Sequence, residues 1–205
     1  MTVLPQFPLH VVLFPTMVLP LHVFEPRYRA MIHDTIEGDR QFGVVMIERG
    51  KDTGGDDQRA DVGTVARLVE AEPFPDGRWA IVVVGLKRFR VTEWLEDDPY
   101  PRARIEMWPD GPGDAVKADD LDRVANKFRR CMALASEAGI DVGEIPAEFD
   151  EPELAAMQMS SMLPIGSFDK QKLLSASTSC ERLRAVEVSI DDTMELIDFR
   201  LHDDR

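Results

Sequence analysis

Short apolar runs in the first half of the chain predict β-strands. Residues 9–14 and 17–23 are two such runs, and the prolines around them fit strand ends because proline cannot donate to a sheet ladder. Residues 79–84 form a continuous apolar strand with three consecutive valines, which predicts that both of its faces are covered. Gly85 then marks a turn or bulge. Four further segments have strand length or strand-like alternation: 41–48, 62–72, 88–92 and 102–108.

A single helix is predicted among these strands. Pro26 fits the first helical position, where a missing N–H costs nothing, and Glu25 lies near the N-cap. Residues 73–77 predict a hairpin turn through their Asp-Gly step, and residues 49–61 predict a loop. Apolar residues recur at helical spacing after Pro26: Tyr28, Met31, Ile32 and Ile36.

The second half of the chain predicts a bundle of about four helices. Composition shifts to proline, glycine and aspartate over residues 109–114, which indicates a domain boundary. We therefore predict an α+β chain, with a β-rich domain at residues 1–112 and a helical domain at residues 113–205. Candidate N-terminal caps precede the helical patterns: Asp119 or Asp120, Asp150, Ser167 and Thr178.

Composition narrows the class of protein. The 205 residues are 44% hydrophobic and 30% charged, which is typical of a globular protein. The net charge of −14 repels phosphate backbones and disfavours nucleic acid as a partner. Because no apolar stretch is long enough to cross a bilayer and no export signal is present, we predict a cytoplasmic protein with no membrane contact. Cys131 and Cys180 are predicted to be reduced and buried.

The sequence contains no recognisable catalytic constellation. A phosphate-binding Gly-x-x-x-x-Gly-Lys-Ser/Thr loop and a Gly-x-Ser-x-Gly nucleophile turn are both missing from these residues. The spacing of His22, Glu25 and His33 matches no recurrent metal site. We therefore predict a non-enzymatic protein without a cofactor, a metal site or catalytic residues.

One long phrase carries a family resemblance. FPLHVVLFPTMVLPLHVFEPRYRAMI, at residues 7–32, resembles the opening of the Lon protease N-terminal domain, and further matching pieces follow in the family's order. This resemblance spans roughly the whole chain and implies a PUA-like β pseudobarrel followed by the helical domain. It resembles the stand-alone form, without the ATPase and protease domains of full-length Lon. The further pieces are residues 62–66, 85–91, 163–165 and 170–174.

The resemblance implies recognition of exposed apolar segments in unfolded or tagged client proteins, as an adaptor to a separate ATPase, protease or chaperone. The protein would act as a monomer or homodimer, and the seam between sheet and helices is the predicted place of a groove. Methionine adapts to varied partners but also fills helical cores, so both interpretations stay open for the methionines. The candidate peptide-binding residues are Phe24, Tyr28, Trp94, Trp108, Met157, Met159 and Met162.

RNA or nucleotide binding is the alternative function, because the PUA-like fold also serves RNA-binding proteins. Arginines on the predicted strands could share one outward face of the sheet, although acidic neighbours could equally pair with them across strands. No clear aromatic platform for stacked bases accompanies them. The arginines are Arg67, Arg88, Arg90, Arg102 and Arg104.

Overall fold

The computed structural model describes residues 2–49, 58–113, 115–149 and 151–203. It divides into two compact units, Met1–Pro109 and Asp110–Arg205, which we call the β unit and the helical unit. The division lies three residues before the boundary predicted after residue 112. Part of the predicted 49–61 loop lies outside the described residues, and β4 already begins at Gln58.

The β unit has six strands and one helix among its described residues. Their order places the helix between the second and third strands, where the sequence predicts it. The two predicted strands on either side of Gly85 are one strand of 16 residues. The elements are β1 Thr2–Leu9, β2 Val18–Val23, α1 Pro26–Glu37, β3 Gln41–Arg49, β4 Gln58–Pro73, β5 Trp79–Trp94 and β6 Arg102–Met107.

The predicted strand at 9–14 is wrong, because β1 ends where that strand was expected to begin. Pro5 and Pro8 are tolerated inside β1 because each half of the strand pairs with a single neighbour. Residues 2–5 pair with β6, and residues 6–9 pair with β3. Instead of forming a ladder, the buried segment after β1 directs the Leu13 carbonyl to the hydroxyl of Thr64, at 2.6 Å.

The six strands form one sheet in the order β2-β5-β4-β3-β1-β6, and β6 also pairs with β5. This second pairing closes a ring of five strands, which confirms the predicted α+β class and barrel-like sheet. β5 has β4 along one edge, while its other edge pairs with β2 over residues 79–84 and with β6 over residues 89–94. The barrel is therefore closed along only half of β5.

Two apolar clusters fill the two sides of this sheet. The cluster beneath α1 includes Phe7, Tyr28 and Val83, and the cluster inside the barrel includes Val65, Phe89 and Ile105. Gly63 is required at the barrel wall, because a Cβ there would lie 2.4 Å from the Val44 carbonyl oxygen and 2.7 Å from the Phe89 ring. Any larger residue at this position would force two strands apart.

The phenol of Tyr100 joins the segment before β6 to α1 inside the β unit. Tyr100 is 8% exposed and donates a hydrogen bond to Asp34 Oδ2 at 2.8 Å. Burial, together with the bond to a carboxylate, raises the pKa of Tyr100 from 10.0 to about 12. The native state thus holds this proton at a pH where the unfolded chain has released it.

The helical unit consists of four helices among its described residues: α2 Ala118–Glu137, α3 Pro152–Met162, α4 Ser167–Leu174 and α5 Ser179–Asp203. The predicted cap at Thr178 is confirmed, since its hydroxyl accepts from the Glu181 N–H at 3.1 Å. The predicted cap at Ser167 is wrong, because Gly166 occupies the N-cap position and Ser167 is the first helical residue. Asp150 lies outside the described residues.

The apolar stripe of α2 is buried, as its spacing predicts, and it includes Cys131. Burial raises the pKa of the Cys131 thiol to about 11, so this cysteine stays protonated and unreactive near neutral pH. Cys180 is only partly buried, so the prediction of two buried thiols is confirmed for Cys131 and wrong for Cys180. At the surface, Lys127 on α2 forms ion pairs with Glu187 at 2.9 Å and Asp191 at 3.0 Å on α5.

A buried arginine holds the start of the helical unit to its last two helices. Arg182 is fully buried and donates two hydrogen bonds of 2.8 Å to the Asp110 carboxylate. It also donates to the carbonyls of Leu173, at 3.1 Å, and Ala176, at 2.9 Å. Ser179 donates its hydroxyl to the same carboxylate. Because a buried guanidinium must be paired, these partners act as one unit.

We expect Arg182→Met to lower the free energy of unfolding of the protein by about 3 kcal/mol, because it leaves the Asp110 carboxylate without its cation. Urea unfolding followed by circular dichroism measures this change. Lys172→Met is the matched control, since the Lys172–Asp169 pair is exposed and should contribute less than about 1 kcal/mol. Equal losses for the two variants would contradict the structural role of Arg182.

We expect the stabilisation provided by Tyr100 to be present below pH 10 and lost as the pH rises towards 12. Its pKa is higher in the folded state than in the unfolded chain. Ionisation therefore stabilises the unfolded state from pH 10 upwards, before the native state begins to ionise. Urea unfolding of the wild type and of Tyr100→Phe at pH 9 and pH 11 tests this. The free energy of unfolding of the wild type should exceed that of Tyr100→Phe at the lower pH, and this difference should be smaller at the higher pH. A constant difference would refute the raised pKa.

Candidate functional site

The face of the sheet that forms the barrel interior continues beyond the barrel and is uncovered there. Paired residues share a face, and Val65 inside the barrel is followed two residues later by Arg67, which pairs with Val84. Val84 in turn pairs with Val18 on β2. We call this uncovered part the open face. Its residues are Val18, Pro20, His22, Arg67, Val69, Glu70, Glu72, Ala80, Val82 and Val84.

Alternation along β2 explains which of its residues lie on the open face. Leu19, Leu21 and Val23 point to the cluster beneath α1, so the even-numbered residues point the other way. Val18 is consequently 58% exposed, and Val82 opposite Pro20 is half-buried. Exposed apolar side chains that lie together on a surface are a common mark of a binding site.

A β-bulge in β4 adds a further apolar residue to the open face. Leu68 pairs with Val83 and Glu70 with Val82, so Val69 is an extra residue on β4. Both Val69 and Glu70 are exposed, with Val69 at 49%. Without the bulge, strict alternation would direct one of these two side chains to the core beneath α1.

A depression of about 360 Å³ lies where the open face meets the mouth of the barrel. A second register shift lies at this place, where Leu86 and Lys87 together oppose Val65 between the pairs that flank them. Gln41 and Met107 complete its lining, and Met107 is 51% exposed. Its walls are mostly apolar and its volume suits one large apolar side chain.

Aromatic side chains border the opposite end of the open face. Phe74 in the β4–β5 turn is 37% exposed and stacks on His22, with ring centroids 6.4 Å apart. The Arg78 guanidinium lies 5.8 Å from the Phe74 ring. Phe24 directly follows β2 and is 58% exposed. Gly77, with φ +81°, provides the left-handed residue of the predicted turn.

The predicted peptide-binding residues of the β unit do not meet in one groove. Phe24 is exposed beside the open face, but Tyr28 is 3% exposed and packs on Phe7 with centroids 4.4 Å apart. Trp94 is half-buried beneath Arg59, whose guanidinium lies 4.9 Å from its ring. Tyr28 is therefore a core residue, and its predicted role as a surface contact is corrected.

The predicted methionines of the helical unit are also packing residues. Met157 is 5% exposed and Met159 is fully buried, while Met162 is half-buried. α3 carries small residues beside them, and Ala155 and Ala156 are buried as well. Of the two interpretations left open for these methionines, their burial favours core packing, in which they fill the irregular space between helices.

The five predicted arginines do not form one shared cationic surface. Arg88 is 4% exposed, and the guanidinium groups of Arg88 and Arg90 lie 4.5 Å and 4.3 Å from the Trp108 ring. Arg104 donates to Glu93 at 2.7 Å, which is the cross-strand pairing that was the competing interpretation. Arg102 is half-buried on β6, and Arg67 belongs to the open face. Trp108 is accordingly covered by cations, so a base could stack on it only by displacing them.

The residues that the sequence did not indicate are those of the depression and, apart from Arg67, those of the open face. The valines of residues 79–84 were predicted to be covered on both faces, yet Val82 and Val84 are only half-buried. The alternation of β2 was visible in the sequence, but its pairing with β5 was not. In the described part of the chain, no cluster of three metal-ligating side chains occurs, and no helix is long and apolar enough to span a bilayer.

A family model for the ATP-dependent protease La (LON) substrate-binding domain matches residues 3–192. The chain belongs to this family. Lon protease 2 of Thermus thermophilus is 28% identical over 190 residues, which cover 91% of this chain and 24% of that protein. Lon protease of Anaeromyxobacter dehalogenans is 30% identical over 200 residues, which cover 95% and 24%. The chain spans about a quarter of the length of these curated relatives.

Solved structures of the same family share the fold. A Lon N-terminal domain protein from Xanthomonas campestris has a TM-score of 0.69 and 24% identity, covering 90% of this chain and 96% of that chain. The N-terminal domain of Lon protease from the Mycobacterium avium complex has a TM-score of 0.65 and 17% identity, covering 93% and 99%. The predicted resemblance to the Lon N-terminal domain is thus confirmed for family and fold.

Proposed function

We propose that the chain is a non-enzymatic protein-binding module that recognises exposed apolar segments of client proteins. The observation that carries this proposal is the open face together with its depression. Apolar residues of three strands are exposed or half-buried there, next to a depression with room for a large side chain. Membership of a substrate-binding domain family supports the same conclusion.

The chemistry of the open face sets the class of client. Val18, Val82 and Val84 offer apolar contact beside the charged side chains of the open face, which suits apolar segments exposed by unfolding. Burying three or four large apolar side chains yields roughly 5–10 kcal/mol, and the cost of association consumes a good part of it. We therefore expect affinities near the micromolar range, with rapid exchange between clients.

Delivery of the client to another protein completes the proposal. The 205 residues include no phosphate-binding loop, so they supply no ATP-driven step. Relatives of this chain carry the name of an ATP-dependent protease. We propose that an ATPase or protease, acting as a separate partner, receives the clients bound here, and that the β unit carries the binding site.

We expect the double variant Val18→Lys/Val82→Lys to bind an unfolded client at least about tenfold more weakly than wild type, because two desolvated ammonium groups would be required in the contact. Fluorescence anisotropy of a reduced, alkylated and labelled globular protein measures this. Both positions are at least partly exposed, so circular dichroism and the thermal midpoint should change little.

Val188→Lys/Leu196→Lys is the matched control, with the same change in charge at two exposed positions of α5. It should bind the client like the wild type. Equal weakening by the two double variants would show that charge alone matters. A wild type that binds no client at about 50 µM would end the proposal.

A test of RNA binding, the alternative function, requires arginines whose replacement leaves the fold intact. Arg88 is buried against Trp108, so its replacement would disturb the fold; Arg90 and Arg104 are exposed and suitable. We expect no RNA binding by the wild type in filter assays at about 50 mM salt, because the net charge is −14. Salt-sensitive binding that Arg90→Glu/Arg104→Glu abolishes would establish the alternative instead.

A further inference from the structure

The outer edge of β2 is an unpaired sheet edge. β2 lies at one end of the strand order, and no strand among the described residues pairs with its second edge. Val18, Pro20 and His22 are all exposed along it. A sheet edge of this kind presents backbone N–H and C=O groups that an extended chain can satisfy.

The register of β2 fixes which backbone groups point outward. The Thr16 N–H donates to the Gly85 carbonyl at 2.8 Å, and the Gly85 N–H donates to the Met17 carbonyl at 2.9 Å. Thr16 has φ +67°, so these bonds form a β-bulge that begins the ladder at Met17. Hydrogen-bonded pairs alternate along an antiparallel ladder, so Leu19 and Leu21 also bond to β5.

The even-numbered residues of β2 therefore direct their backbone groups away from β5. Val18 and His22 each offer an N–H and a carbonyl at the free edge, whereas Pro20 offers only a carbonyl. Proline at this position costs no ladder bond, because its missing N–H would have pointed outward. The free edge thus has two donors and three acceptors in a fixed spacing.

We propose that a client binds as an extended strand that adds to the free edge of β2, with every second side chain on the same side of the sheet as the open face and beside Val18 and Pro20. The edge supplies hydrogen bonds to the backbone of the client, and Val18 and Pro20 provide the adjoining apolar surface. A helical client would leave the edge groups unpaired. The inference rests on the proposed function, since it specifies how the same site is used.

The charge of the surface selects among extended segments. The open face carries one cation, Arg67, and two carboxylates, Glu70 and Glu72, and the whole chain has a net charge of −14. Acidic clients are repelled by this field, and basic residues that flank an apolar segment are attracted. The occupant is accordingly an extended, apolar, β-branched protein segment with lysine or arginine at its ends.

Backbone methylation of a synthetic client tests the inference without any change to the protein. The probe is a labelled peptide of about ten residues that alternates valine and threonine between terminal lysines. Two derivatives carry N-methyl groups on the odd or on the even residues of the central part. Only one edge of the bound peptide faces β2, so one derivative should lose about tenfold or more in affinity and the other should bind like the parent.

Two substitutions at one position provide the protein-side test. His22→Pro removes an outward N–H, whereas His22→Ala keeps that N–H and loses only the contact with Phe74. We expect His22→Pro to bind the parent peptide about tenfold more weakly than His22→Ala, with equal near-ultraviolet circular dichroism for the two. If His22→Pro fails to fold, the two methylated peptides still decide the matter on the wild-type protein.

The outcomes separate the two proposals. If the parent peptide binds and the two methylated derivatives bind equally, strand addition is overturned while recognition of apolar segments stands. If neither the parent peptide nor the unfolded client binds the wild type, the proposed function itself fails. Selective loss with one derivative, together with a weaker His22→Pro, supports strand addition.

Discussion

The length of β5 is the constraint on which the β unit depends. A strand of 16 residues is longer than a small barrel needs, and the edge of β5 that does not pair with β4 is therefore divided between β2 and β6. The bulge at Leu86 and Lys87 lies between the two halves and allows the change of partner. Barrel closure, the open face and the depression all follow from this one division, because the same side of the sheet is interior along one half and solvent-facing along the other.

The helical unit is organised by a polar constraint instead. A guanidinium that is fully buried must be surrounded by acceptors, and Arg182 donates to the Asp110 carboxylate and to two carbonyls at the end of α4 and in the turn after it. Apolar stripes alone would let the short α4 pack in several ways. The directional bonds of Arg182 select one arrangement, in which the residues around Asp110 are held against α4 and α5.

Local patterns in the sequence were sufficient for most elements of the fold. Helix α1, with proline at its first position, and the Asp-Gly hairpin depend on near neighbours, and both occur where their residues predict them. The first strand was predicted too late in the chain because prolines such as Pro5 and Pro8 normally interrupt strands. Both are accepted inside β1 only because each half of the strand pairs with a single distant strand. The open face escaped prediction for a similar reason. Exposure of Val82 depends on which strand lies beside it and on what covers that strand, and neither is encoded nearby in the chain.

Pro20 has a further consequence for the behaviour of the protein at high concentration. An unpaired apolar edge can recruit the same edge of another copy, which is how soluble sheets begin to aggregate. Pro20 interrupts the row of donors at its centre, and two such edges would oppose proline-containing strands as well as two chains of net charge −14. The missing N–H groups and the like charges both weaken self-pairing. A different strand with a complete row of N–H groups could still donate to the three outward carbonyls of β2. One proline at the centre of β2 thus disfavours pairing of this edge with the same edge of a second copy.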